Sequence, residues 1–136
     1  MTHEEAFAKA FITSEKRARF GQFLANAKRR QEMLERLDHD LPYLPAYAQE
    51  VPGEQDYPDE LEKLLCARGA GATCHVIGAG LKADGRMLPV GEALRLICMN
   101  GGGALLSFLP GRLAYYRPAA PGRGLILERL PAPRNP

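Results

Sequence analysis

Cys74 and His75 are adjacent residues whose types suggest nucleophilic chemistry. A thiolate paired with an imidazole base can attack a carbonyl carbon. Both fall in residues 73–77, a short stretch whose composition predicts a strand. Neighbouring side chains of a strand point to opposite faces, so these two cannot act on each other. Cys74 would need His3 or His39 from elsewhere in the fold, and a small thiol enzyme using Cys74 is therefore only our second alternative.

The three cysteines, Cys66, Cys74 and Cys98, form an odd and sparse set that argues against a secreted disulfide framework. Their spacing to the histidines lacks the close pairs that structural zinc sites use. We expect all three to be small core residues. The first residues show no basic stretch followed by an apolar one, as a signal peptide requires. A cytoplasmic location is predicted, with no metal ligand and no catalytic residue assigned.

Two glycine-rich stretches could be taken for phosphate-binding loops. Residues 78–83 fit the pattern G-x-G-x-x-A, but a dinucleotide site also needs a long helix that begins at the loop. Asp84, Gly85 and Pro89 interrupt any such helix. Residues 101–103 follow a predicted helix, where the helix dipole repels phosphate. We expect both stretches to be turns, and we predict no cofactor.

Basic residues supply the remaining candidate site. Arginines on the predicted C-terminal strands, with tyrosines between them, could stack single-stranded bases, and the basic N-terminal helices could contact phosphates. Without a recognised nucleic-acid-binding motif, we expect most of these charges to be a solvated face. The candidate contacts to nucleic acid or another anion are Lys28, Arg29, Arg30, Arg112, Tyr116 and Arg117.

Charge changes sign twice along the chain. Residues 1–37 carry a net charge of +3, residues 38–68 carry −6 and residues 69–136 carry +5. The acidic middle either lies against the basic ends within one molecule or leaves one basic face free for an anionic partner. We favour neutralisation, because the whole chain carries only +2.

The elements that must position these residues begin with short helices over residues 1–37. Thr2 starts a capping box with Glu5. Asn26 can cap a new helix, and we expect two helices here because one unbroken helix would place Arg30 in the apolar stripe. An acidic connector follows over 38–57, and its apolar residues show neither a helical nor a strand period. Further helices begin at Pro58 and Pro89. The predicted strands are 73–77, 104–109, 113–116 and 125–130, and a frayed tail follows at 131–136.

These elements predict an α+β fold in one domain, 1–136, with short N-terminal helices and then a small sheet that ends in an antiparallel meander. Residues 58–130 form its α+β part. The last strands carry apolar residues on both alternations, whereas a sheet with one wet face shows polar residues on one of them. We expect both faces to be covered, by the helices or by a second copy of the chain, and the second possibility suggests a homodimer.

Residues 110–116 read PGRLAYY, residues 85–94 read GRMLPVGEAL and residues 74–77 read CHVI. Together with Lys28-Arg29-Arg30, these stretches resemble a group of short uncharacterised bacterial proteins, over most of the chain. That group carries no assigned activity. The resemblance implies a compact bacterial cytosolic protein and transfers no site residue.

Composition limits the function further. A 46% share of hydrophobic residues excludes disorder across the whole chain, and its apolar runs are too short to cross a membrane. Because no set of catalytic residues is evident, we lean towards a non-enzyme. Our first hypothesis is a non-enzymatic binding or regulatory module that acts through protein–protein contacts and self-associates. The alternative is a nucleic-acid-binding protein that uses the basic helices or a Tyr/Arg sheet face.

Overall fold

The computed structural model describes residues 2–78, 82–119 and 123–130, and its helices and strands confirm the α+β class. The predicted tail at 131–136 lies outside this part, as do residues 79–81 of the first glycine stretch and 120–122 of the loop before the last strand. No described helix is long and apolar enough to cross a membrane. The helices are α1 His3–Phe11, α2 Ser14–Ala25, α3 Ala27–Arg36, α4 Pro58–Ala67 and α5 Val90–Asn100. The strands are β1 Ala48–Glu50, β2 Thr73–Gly78, β3 Met87–Pro89, β4 Ala104–Leu109, β5 Leu113–Arg117 and β6 Leu125–Glu128.

The helix is interrupted at Asn26, between α2 and α3, as the capping signal predicts. The Asn26 side-chain oxygen accepts hydrogen bonds from the backbone N–H groups of Lys28 at 2.9 Å and Arg29 at 3.3 Å. Thr2 caps α1 in the same way, with its hydroxyl accepting from the backbone of Glu5 at 3.1 Å. These caps satisfy N–H groups that the first turn of a helix leaves unpaired.

The sheet has the order β1-β6-β5-β4-β2-β3, and neighbouring strands are antiparallel. The predicted meander is β4-β5-β6, and the turn at Gly111, with φ of +70°, connects its first two strands. Two short edge strands were not predicted. β1 lies inside the proline-rich connector, and β3 ends at Pro89, directly before α5. A three-residue strand is too short to show a period. The last strand ends at Glu128 rather than at Leu130.

Both faces of the sheet are covered, and the protein's own helices cover them. On one face, Ile77, Leu105 and Tyr116 join the core formed with α1, α2 and α3. On the other face, Leu106 and Tyr115 join the core formed with α4 and α5. The sheet therefore needs no second copy to bury its apolar surface. The homodimer stays a prediction, and the two apolar faces of the sheet no longer support it.

The close approach of the sheet to α3 makes a stability prediction. A Cβ added at Gly103 would overlap the backbone carbonyl of Leu37, whereas a Cβ at Gly21 in α2 would meet nothing within 4 Å. We expect Gly103→Ala to lower the free energy of unfolding by about 1–3 kcal/mol. Gly21→Ala should raise it by about 0.5–1 kcal/mol, because alanine loses less backbone entropy in a helix. Urea denaturation of both variants measures the difference, and equal effects would contradict this packing.

Candidate functional site

A partly buried polar network lies between the sheet and the N-terminal helices, and Ser107 is its one fully buried member among the described residues. His75 on β2 is directly opposite Ser107 on β4, and both face the layer of α1, α2 and α3. The Ser107 hydroxyl lies 2.7 Å from Nδ1 of His3, and the His3 and His75 rings stack with centroids 5.4 Å apart. Nε2 of His75 lies 2.8 Å from a carboxylate oxygen of Glu4. The start of α1 is thereby fixed to two central strands.

Arg30 holds the other end of this network. Its guanidinium donates to both oxygens of Glu4, at 2.6 and 2.8 Å, and to both oxygens of Asp84, each at 2.9 Å. It also donates to the carbonyl of Leu24 at 3.1 Å. Asp84 in turn accepts the backbone N–H of Gly78 at 3.1 Å. One side chain therefore connects α1, α3 and the turn between β2 and β3.

The ion pairs explain the pKa values in this network. Burial alone would raise the pKa of Glu4, but hydrogen bonds from His75 and Arg30 outweigh it and lower that pKa to about 2. The hydrogen bonds to Asp84 and Glu4 raise the pKa of Arg30. Burial, with a smaller contribution from His75, lowers the pKa of His3. The network therefore holds fixed charges at neutral pH.

Ser107 and His3 have the spacing of a nucleophile and its base, but the site does not support acyl transfer. The Ser107 residue is only 1% exposed and sits in the middle of β4, between β2 and β5, so a substrate carbonyl cannot reach its hydroxyl. Every buried side-chain nitrogen or oxygen in the described ranges has a hydrogen-bond partner. The geometry is that of a satisfied structural network.

The cysteines are also poor nucleophiles where they are buried. Cys74 is fully buried on the opposite face from His75, as predicted, and burial raises the pKa of its thiol to about 12. Burial likewise raises the pKa of the partly buried Cys98. The expectation of a core position is wrong for Cys66, which is exposed on α4 because it lies one residue past the apolar stripe of Leu61 and Leu65. The described residues contain no group of three or more His, Cys, Asp and Glu that could hold a metal ion.

The glycine stretches occupy turns in the part that the structure describes. Residues 82–85 form a turn that is followed by β3, and within residues 82–89 no helix begins. A pyrophosphate would therefore find no helix N-terminus there. Gly101 ends α5 in the left-handed conformation, with φ of +76°. Residues 101–103 thus terminate a helix, as the sequence indicated.

The structure does not bring the six predicted anion contacts together on one surface. Lys28 and Arg29 are exposed at the start of α3, and Arg112 is exposed at the turn between β4 and β5. Arg30 belongs to the partly buried network. Tyr116 is only 3% exposed, and its hydroxyl donates to the carbonyl of Leu37.

Arg117, the sixth residue, is held by the acidic connector. It donates to Asp56 at 3.2 Å, and Asp56 also accepts from the hydroxyl of Tyr115 at 2.6 Å and from the backbone of Gly124 at 3.0 Å. Glu50 pairs with Arg123 at 3.2 Å. The acidic middle of the chain therefore neutralises part of the basic C-terminal half, and its carboxylates make no ion pair with α2 or α3 in the described ranges.

A groove of about 310 Å³ opens between α2, α3 and residues 39–42, and we call it the cationic groove. Its floor is the buried side chains of Phe20, Met33 and Leu37. Its remaining lining is Lys16, Arg19, Arg36, His39, Asp40 and Pro42. An apolar floor with a charged rim is typical of a site that binds an aromatic or aliphatic group next to an opposite charge.

Phe23 holds the neighbouring cations in place. The guanidinium groups of Arg19, Arg29 and Arg36 lie 5.1, 5.3 and 6.0 Å from the centroid of its ring. At these distances each guanidinium is within the range in which a cation is attracted to the face of an aromatic ring. Our sequence analysis did not identify this cluster, although Arg19 and Phe23 are four residues apart on one helix, which is a contact spacing.

Comparison with protein-family models, with curated proteins and with solved structures finds no match to this chain. The resemblance to short uncharacterised bacterial proteins stays a prediction. The function is therefore inferred from the surfaces of the molecule itself.

The partly buried network predicts a large difference between two neighbouring arginines. Arg30→Ala leaves the carboxylates of Glu4 and Asp84 without their guanidinium, and we expect it to lower the free energy of unfolding by roughly 3 kcal/mol. Arg29→Ala is the matched control, since Arg29 is exposed and its pair with Glu32 spans 3.7 Å. That change should stay within about 0.5 kcal/mol. Chemical denaturation distinguishes the two, and equal losses would contradict the described network.

The network also predicts a dependence of stability on pH. The pKa of His3 is lower in the fold than its ordinary value of 6.5, so the folded state disfavours the proton. The stability that depends on neutral His3 is present above pH 6.5 and is lost as pH falls through the lowered pKa. We expect the free energy of unfolding to decrease from pH 7.5 to about pH 5. The decrease should be smaller in His3→Gln, and identical slopes in the two proteins would contradict the assignment.

Proposed function

We propose that this chain is a non-enzymatic binding module that recognises an acidic segment of a protein partner through the cationic groove and the cations beside it. We call the whole surface the cationic face, and it consists of the groove together with Phe23, Lys28 and Arg29. The helical segment that carries it, residues 14–36, has a net charge of +4. Such a surface attracts and orients negatively charged partners.

The observation that carries this proposal is the distribution of ion pairs. Arg30, Arg68, Arg117 and Arg123 each pair with a carboxylate from another element. In the described part of the chain, the cations of the cationic face have no such partner, and Arg29 pairs only with Glu32 of its own helix. Other exposed arginines, such as Arg86, Arg95 and Arg112, also have no carboxylate partner in the described residues, but none of them lines the cationic groove. The cationic face is the place where such cations surround an apolar floor.

The apolar floor favours a protein segment over nucleic acid. Phe20, Met33 and Leu37 can accept an apolar side chain, whereas phosphates need only the rim. A sheet face for base stacking is not accessible, since Tyr115 and Tyr116 are buried under the two helical layers. A nucleic-acid-binding protein that uses the basic helices is the second candidate, because the same exposed cations could contact phosphates.

The burial of the two candidate nucleophiles supports a binding role. Cys74 and Ser107 are both buried, at 0% and 1% exposure, and neither lines the cationic groove. We also propose a cytoplasmic location, because free thiols such as those of Cys66, Cys74 and Cys98 remain reduced there.

Binding of a labelled acidic peptide with one tyrosine tests this function. We expect binding that weakens as salt rises, because the contacts are exposed charges. Replacing Arg19 and Arg36 by Glu should weaken it at least about tenfold, as a centrally placed charge reversal does.

Arg112→Glu is the matched control, since Arg112 is exposed on a distant turn, and it should leave peptide affinity unchanged. Tighter binding of single-stranded RNA or DNA than of the peptide would favour the nucleic-acid candidate. Absence of peptide binding at low ionic strength would contradict the proposal.

A further inference from the structure

We infer that the cationic groove accepts a tyrosine-centred acidic surface of a second copy of this chain. The occupying surface is formed by residues 54–60, which we call the Tyr57 knob. This inference rests on the proposed function and names the partner of the same surface.

The Tyr57 knob combines an exposed ring with negative charge. Tyr57 is 46% exposed, although most large apolar side chains of the protein are buried. Residues 54–60 contain four carboxylates and no cation. Asp56 is paired with Arg117 and Glu60 with Lys63, so Glu54 and Asp59 supply the negative charge of the knob that has no ion pair in the described part of the chain. Glu54 and Asp59, which precede and follow Tyr57 in the sequence, are exposed. An aromatic group with adjacent carboxylates matches an apolar floor with adjacent guanidinium groups.

The knob is held in a fixed shape. Asp56 accepts hydrogen bonds from Tyr115, Arg117 and the backbone of Gly124, and Tyr57 is the N-cap residue immediately before α4. A surface that is already ordered loses less conformational entropy when it binds. The knob therefore resembles a preformed anchor.

Other exposed apolar side chains do not have this character. Among the described residues, the large apolar groups with high exposure are Tyr57, Met87, Met99 and Leu130. Met87 follows Arg86 and Leu130 follows Arg129, so both adjoin a positive charge. Met99 has no charged residue within three positions in the sequence. Of the four, Tyr57 is the one whose immediate sequence neighbours include a carboxylate, so charge complementarity with the cationic groove selects Tyr57.

Within one molecule, the knob cannot reach the groove. Phe20, Met33 and Leu37 belong to the core on one face of the sheet. Leu61 of α4 and Tyr115, which holds Asp56, belong to the core on the other face. Because the sheet separates the two surfaces, a second copy must supply the knob. Each chain carries both halves, so the contact generates a dimer or a closed ring.

A charge-swap experiment tests this contact by sedimentation velocity. The wild-type chain should self-associate, more weakly at high salt. The groove variant, Arg19→Glu with Arg36→Glu, and the knob variant, Glu54→Lys with Asp59→Lys, should each be monomeric. An equimolar mixture of the two should associate again, because each reversed surface then faces its complement. A monomeric wild type, or a mixture that stays monomeric while both variants are folded by circular dichroism, would overturn the inference.

A second pair of variants keeps all charges unchanged. Tyr57→Ser should weaken self-association at least about tenfold, since it removes the central anchor. Met99→Ser, at a residue 87% exposed on α5, is the matched control and should leave it unchanged. Equal effects of the two would also overturn the inference. If the acidic peptide still binds the wild type, failure here removes only the second copy as partner, and if the peptide does not bind, the proposed function fails as well.

Discussion

One sheet with two apolar faces constrains the whole molecule. Each face must be covered by an apolar layer, and this chain supplies α1, α2 and α3 for one face and α4 with α5 for the other. The connection between the layers has to pass around an edge of the sheet. It does so in the acidic connector, which pairs with β6 through β1 on the way. That path places the connector's carboxylates near the arginines of the C-terminal strands.

The same constraint determines which positive charges are exposed. Arg30 points inwards and meets Glu4 and Asp84, whereas Lys28 and Arg29, the preceding residues on the helix, remain exposed. A guanidinium so little exposed is stable only with such partners. The fold neutralises the arginines that it buries or brings near the connector, and the cations of the cationic face lie away from both. Its groove and the Tyr57 knob lie on opposite sides of the sheet.

Local signals predicted local structure well. Asn26 and Gly101 act through their own backbone neighbours, so a capping residue and a left-handed glycine could be recognised from the sequence. The expectation that both faces of the sheet are covered is confirmed, and it already implied that Tyr115 and Tyr116 would both be buried. The prediction that Tyr116 contacts nucleic acid or another anion was inconsistent with that expectation.

Long-range contacts were not predictable in the same way. Glu4, Arg30 and Asp84 are separated by 26 and 54 positions in the sequence, and no periodicity connects them. The ion pair between Asp56 and Arg117 also depends on how the connector crosses the sheet edge. The cationic groove is lined by residues of α2, of α3 and of the segment 37–42 that follows them. Because these residues are spread along the sequence, they form no compact motif.

Hydrogen exchange of the wild-type chain, compared between a dilute and a concentrated sample, tests most directly whether the cationic face is a binding surface. Backbone amides that become buried in an interface exchange more slowly. The account predicts that concentration slows exchange in α2, α3 and residues 54–60, and leaves α5 and the turn between β4 and β5 unchanged. Protection confined to other surfaces, or no change at any concentration, would contradict it.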